Sequence, residues 1–202
     1  MKPQDKQRQQ LRLLSRKMGI LRPADLAAAK IPKDYLKGMV RRGELEKVAR
    51  GLYGVPGGEV TENHTMAGAA KKIPSGVVCL LSALRFHGLT TQNPFEVWMA
   101  IENKAWRPKL AYPPVRLVHF SGSAFQESVE EHLIEGVPVK IYGPAKTVAD
   151  CLKFRNKIGL DVAREAVRDY RRKYKTGMDA LWKAAAVCRI QRVIRPYLEA
   201  GL

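Results

Sequence analysis

Leu11, Leu14 and Met18 recur at helical spacing, and Gly19 follows as a stop, so the pattern predicts a first helix over residues 6–18. The segment ILRPADLAAAK predicts a brief extended piece and then a short helix with Pro23 in its first turn, broken by Ile31 and Pro32. A third helix is predicted over residues 33–42. At 100° per residue, with Lys33 at zero, Tyr35, Met39, Leu36 and Val40 share an arc from about 200° to about 340°. Lys37 and Arg41 follow Lys33 along the other side, Arg42 borders the apolar arc, and Asp34 is the one acid of the helix. Gly43 ends it. LEKVARGLYGV then predicts two strands around Arg50 and Gly51, with Val48, Leu52 and Val55 available to cover a core.

Three helices followed by a two-stranded hairpin is the winged helix-turn-helix order. Such a unit places its third helix in a major groove roughly 12 Å wide, with flanking cations on phosphates. Lys33, Lys37, Arg41 and Arg42 would then face DNA and Arg50 would sit at the wing tip. The alternative is a solvated amphipathic helix with a hairpin behind it, because a winged helix can also bind only protein. PGGEVTENHT reads as a linker. The expected domains are residues 1–57 and 64–202.

Beyond the linker the pattern predicts a helix over residues 65–72, a buried helix in VVCLLSALRFHGL, and strands at VWMAI and VRLVHF. SVEEHLIEGVPVKIY predicts two more strands joined at Glu135 and Gly136. From Pro144 the chain reads as helical, with Val148, Cys151 and Leu152 turned inward. A helix over residues 161–174 would bury Val162, Ala166, Val167, Tyr170 and Tyr174. Its other side would carry Arg164, Arg168, Arg171, Arg172 and Lys175, a basic ridge roughly 16 Å long. MDALWKAAAVCR and RVIRPYLEA close the chain as helices. The expected class is α+β: a winged helix-turn-helix, then a small sheet with helices and a helical end.

Charge changes the picture most. The 202 residues hold 36 Lys and Arg against 19 Asp and Glu, a formal net charge of +17, which makes nucleic acid the leading partner class. Residues 1–60 hold 14 basic and 6 acidic side chains, residues 61–145 hold 8 and 7, and residues 146–202 hold 14 and 6. The excess thus belongs to the two ends, a pattern of contact surfaces on either side of a neutral scaffold. Three dispersed cysteines in apolar patterns read as buried reduced thiols. No leader pattern or membrane span is read, and the expected location is the cytoplasm.

Catalytic and metal chemistry find little support, and no cofactor is expected. His64, His87, His119 and His132 are scattered, and none has a partner at metal-ligand spacing. His87 before Gly88 reads as a helix C-terminal residue, and Cys151 as a core thiol. Glu96 and the Glu102-Asn103-Lys104 triplet suggest a nuclease, but six residues of one strand put the two carboxylates roughly 20 Å apart.

Taken together, RRGELEKVARGLYGVP, CLLSALRFHGLTTQNPFEVWMAI, GVPVKIYGPAKTVADCLKFRNKIGLDVAREAVRDYRR and CRIQRVIRPYLEA resemble, in this order, the AbiEi family. Its members are the antitoxins of type IV toxin-antitoxin systems, known from abortive phage infection. The resemblance implies a winged helix that binds inverted repeats in promoter DNA and represses its own operon. It also implies a C-terminal domain that counters a nucleotidyltransferase toxin without a stable complex. By position the recognition helix falls on residues 33–42 and the wing on residues 45–55. The ridge from Arg164 to Lys175 is a second DNA surface or the antitoxin surface. A stand-alone regulator without a toxin and a protein-binding adaptor for an acidic partner are the alternatives.

Overall fold

The computed structural model describes residues 3–57, 61–108 and 110–199. Part of the expected linker, residues 58–60, lies outside the described residues. The chain divides into two compact units: Met1–Pro74 with Ala111–Pro113 and Leu133–Val139, and Ser75–Leu110 with Pro114–His132 and Lys140–Leu202. The architecture mixes helices and sheets, in agreement with the α+β class.

The first unit runs α1 (Pro3–Met18), β1 (Ile20–Leu21), α2 (Pro23–Ala28), α3 (Asp34–Arg41), β2 (Glu46–Ala49), β3 (Leu52–Gly54) and α4 (His64–Lys72). Asp25 starts α2 by accepting the Arg22 N–H at 2.8 Å, and Pro23 occupies the first turn. Leu36 and Met39 of α3 join Leu11, Leu21, Leu26, Ile31 and Leu45 in one core, the face picked out by the angular sort. Gly43, at φ +70°, takes the left-handed conformation that lets the chain leave α3. β3 lies between β1 and β2, antiparallel to both, and Ala49 pairs with Leu52 across a tight turn at Arg50 and Gly51.

Residues 133–139, the tip of a later hairpin, belong to this unit. Glu135 there accepts hydrogen bonds from the Thr61 amide and hydroxyl at 2.8 Å and lies 2.7 Å from His64 Nδ1, anchoring the start of α4. The backbones meet so closely that a Cβ on Gly19 would lie 1.8 Å from the Glu135 carbonyl oxygen, and one on Gly136 2.5 Å from that of Lys17. Both glycines also have positive φ, so no other residue fits either position without rebuilding the contact.

The later chain continues with β4 (Val77–Val78), α5 (Leu80–Phe86), β5 (Val97–Glu102), β6 (Val115–Phe120), α6 (Ser123–Gln126), β7 (Val129–Ile134) and β8 (Val137–Tyr142). Then come α7 (Pro144–Lys153), α8 (Arg155–Ile158), α9 (Leu160–Lys173), α10 (Met178–Val187) and α11 (Gln191–Glu199). The sheet order is β6-β5-β4-β8-β7; β4 is antiparallel to β5 and parallel to β8, and β5 is parallel to β6. The predicted strands and the Glu135-Gly136 turn are present. Val77 and Val78, expected in a helix, instead form the central strand, because two β-branched residues fit the pleated middle of the sheet and the helix begins only at Leu80.

The core of the second unit gathers Trp98, Ala100, Phe120 and Tyr142 from the sheet with Val148, Leu152, Ala166, Leu181 and Ile194 from the helices. α7 is buried from Lys146 through Leu152. That helix therefore carries two charges inside: Lys146 donates to Asp150 at 2.5 Å, both side chains being 1% exposed. The ammonium lies 4.3 Å from the Tyr142 ring centroid and 4.9 Å from that of Phe120, while Cys188 Sγ lies 3.1 Å from Asp150. Burial pushes the Asp150 carboxyl up and Lys146 opposes that push. Cys79, Cys151 and Cys188 are buried and free, and burial raises all three thiols.

Candidate nucleic-acid interface

α3 is amphipathic because its apolar residues fall at positions 36, 39 and 40, so the side turned from the core carries what remains: cations. Lys33, Lys37 and Arg41 are exposed, as are Arg42 and the turn residue Arg50. Lys33 is the residue before the first turn and Arg42 the residue after the last, so the helix is one residue shorter at each end than expected. Lys37 lies 3.8 Å from Asp34, with both side chains largely in water, where such a pair is worth about 0–1 kcal/mol. Lys33, Arg41 and Arg50 have no carboxylate within ion-pair distance among the described residues. Their fields are therefore open to a polyanion.

Arg42 differs. Its guanidinium folds back across Gly38, where an added Cβ would lie 3.2 Å from it, and its Nε donates to Glu44 at 2.6 Å. Glu44 also receives Arg8 at 2.5 Å and Arg12 at 2.8 Å, joining α1 to the α3–β2 connection. Arg12, Arg42 and Arg8 together hold the Glu44 carboxyl down to about 2. Nothing local announces this cluster, since Arg8 and Arg12 come from more than 30 positions upstream.

The turn at Arg50 is also braced from outside the hairpin. Lys72 of α4 donates to the Arg50 carbonyl, and Arg22 donates to the neighbouring Lys71 carbonyl at 2.5 Å. Lys71 itself is buried against Asp25 at 3.0 Å. Neither Lys72 nor Arg22 stood out in the sequence; Lys71 and Lys72 are the basic last turn of α4.

The predicted ridge on α9 looks different at close range. Arg164, Arg168 and Arg172 are exposed and Arg171 is half-buried. Arg164 lies 4.0 Å from Asp161; Arg168 and Arg172 lie 3.6 Å and 3.3 Å from Asp169. The helix stops at Lys173, so Lys175 lies beyond it and does not extend the ridge, which corrects the expected length. Glu165, between the arginines, accepts from the Thr91 amide at 2.9 Å and its hydroxyl at 3.0 Å. A cleft of about 630 Å³ opens there, lined by Thr91, Gln92, Arg164, Arg168 and Tyr197 among others.

Other candidate chemistry stays dispersed. Glu96 precedes β5 and Glu102 ends it, and Glu96 is paired with Arg116 at 2.8 Å. His87 follows α5 with Nε2 2.7 Å from the Tyr142 carbonyl oxygen. No cluster of three or more potential metal ligands occurs among the described residues. No helix among them is long and apolar enough to cross a membrane.

These features define a basic helix-and-sheet module that presents open cations on one helix face and one turn. Residues 8–56 match the family described as transcriptional regulator, AbiEi antitoxin. The match spans α1 from its second turn to the end of the hairpin, and over that segment it agrees with the AbiEi resemblance read from the sequence. No curated protein matches the chain.

Proposed function

We propose that the chain is a DNA-binding autorepressor and the antitoxin of a type IV toxin-antitoxin system. In this reading residues 1–57 form a winged helix-turn-helix, with α3 as recognition helix and the β2–β3 hairpin as wing, and residues 64–202 supply the antitoxin function. The observation that carries it is the open cationic face of α3, together with the exposed turn residue Arg50, inside the segment that matches the regulator family. Arg41 is the base-reading candidate, because the Nε of Arg42 is engaged by Glu44 while Arg41 has no carboxylate partner among the described residues. Lys33, Lys37 and Arg50 neutralise backbone phosphates, and Arg42 borders the same surface. The target is double-stranded operator DNA, with inverted repeats as the expected form. The toxin is a nucleotidyltransferase, countered without a stable complex. The α9 arginines, already partly neutralised by Asp161 and Asp169, are assigned to the antitoxin half rather than to DNA.

The test is a gel shift on the region upstream of the chain's own reading frame. Arg41→Ala with Arg42→Ala should weaken binding roughly 10- to 100-fold, the worth of one or two base or phosphate contacts. Unchanged affinity sinks the DNA assignment. Co-expression with a nucleotidyltransferase encoded beside it tests the other half: failure to restore growth leaves a regulator without antitoxin activity.

A further inference from the structure

Lys72 sits on α4, outside both the hairpin and the matched segment, yet its ammonium is brought to the wing turn. It donates to the carbonyl of Arg50, and a Cβ on the next residue, Gly51, would lie 3.5 Å from Lys72 Nζ. Arg22 reaches the same helix end through the Lys71 carbonyl. Asp25 faces this group but is occupied by Arg22 at 3.1 Å and by Lys71 at 3.0 Å. Partial burial first, and then the charges of Arg50 and Arg22, hold Lys72 below the ordinary lysine range. The Lys72 ammonium, the Arg22 side chain and the turn at Arg50 thus meet at the end of α4, with no carboxylate left over for Lys72 or Arg50 among the described residues. Like charges held together in this way favour a bound anion, since each additional cation strengthens the potential that an anion meets.

We infer that Lys72, with Arg50 and Arg22, forms a backbone-phosphate site at the wing turn, so that α4 belongs to the DNA-contacting surface. The inference rests on the DNA-binding reading and enlarges its surface beyond the hairpin. A compact ammonium beside a turn suits a phosphate oxygen and carries no base information. Lys72 would thus add affinity on any duplex, while Arg41 would add preference for one sequence.

The experiment is the salt dependence of binding to a fluorescent random-sequence duplex, with the full chain and with Lys72→Gln, Lys72→Arg and Arg41→Ala plus Arg42→Ala. Glutamine keeps a donor for the Arg50 carbonyl but removes the charge. If Lys72 meets a phosphate, Lys72→Gln weakens binding at low salt and makes the slope of log K against log salt shallower by about 0.9, so that a tenfold rise in salt weakens it about eightfold less than the parent, and Lys72→Arg restores both. Slope and affinity unchanged in Lys72→Gln, with the α3 variant still weakened, overturn the phosphate site alone. Equal losses in Lys72→Gln and Lys72→Arg with lowered melting temperatures mark Lys72 as no more than a brace for the turn and also overturn the phosphate site. A parent chain with no salt-dependent binding overturns this site and the DNA-binding reading together.

Discussion

The two ends of the chain carry the same formal charge, 14 basic against 6 acidic residues over 1–60 and again over 146–202, and they use it in opposite ways. Around α3 and the Arg50-Gly51 turn, Lys33, Arg41 and Arg50 stand without carboxylates among the described residues, while Glu44 gathers Arg8, Arg12 and Arg42. In the second unit the acids are spread. Asp150 lies inside against Lys146, Asp161 and Asp169 sit against the α9 arginines, and Glu199 takes Arg195 at 2.6 Å. Net charge thus reports composition, whereas the potential a partner meets depends on which cations the fold leaves unpaired.

The sharpest way to break the comparison is at the buried pair. Lys146→Ala leaves Asp150 uncompensated in a core where burial already pushes its carboxyl up, and should cost about 3–5 kcal/mol. Lys146→Met with Asp150→Leu removes both charges and should be neutral or stabilising by about 1–4 kcal/mol. Urea melts of both variants decide it. If the double variant is as unstable as the single one, the pair is more than a compensated charge and its bond to Cys188 becomes the feature to explain.

That pair also shows where the sequence stops being legible. Lys146 and Asp150 stand at i and i+4, the spacing of any surface ion pair on a helix, and only burial of α7 on all sides turns them inward. The α3 faces were readable because Leu36 and Met39 recur within one helix, and the Arg50-Gly51 turn because the glycine follows the basic residue directly. The reach of Arg8 and Arg12 to Glu44 and of Lys72 to Arg50 was not readable, since these partners are 22 to 36 positions apart and meet only through the tertiary fold. Val77 and Val78 make a strand too short for any periodicity. The row of arginines on α9 is visible in the sequence, but Asp169, buried one residue after Arg168, was not seen to neutralise part of it.

A middle-sized effect is expected at Glu44. Its folded carboxyl is held at about 2 against an ordinary 4.5, so the stabilisation it provides is fully present above pH 4.5 and disappears as the pH falls through about 2. At neutral pH Glu44→Gln should destabilise by about 1–2 kcal/mol, the sum of three partly exposed pairs. Against the parent, the deficit should shrink as thermal melts are moved from pH 5 toward pH 2. A deficit independent of pH would mean that the side chain's packing, and not its charge, joins α1 to the α3–β2 connection.

The smallest expected effect sharpens the comparison most, because it asks a basic helix to do little. Replacing Arg164, Arg168 and Arg172 of α9 by Ala removes three positive charges, nominally more than the α3 double variant removes. The three share two acids, Asp161 and Asp169, at 3.3 to 4.0 Å, so the surface that a phosphate would meet there is already partly neutralised. Loss of these exposed pairs should cost below about 1 kcal/mol of stability in all. Duplex affinity should change by less than about threefold, against the roughly 10- to 100-fold expected for α3. If the α9 variant weakens the gel shift as much as the α3 variant does, Asp161 and Asp169 do not shield the ridge, and both ends of the chain grip DNA.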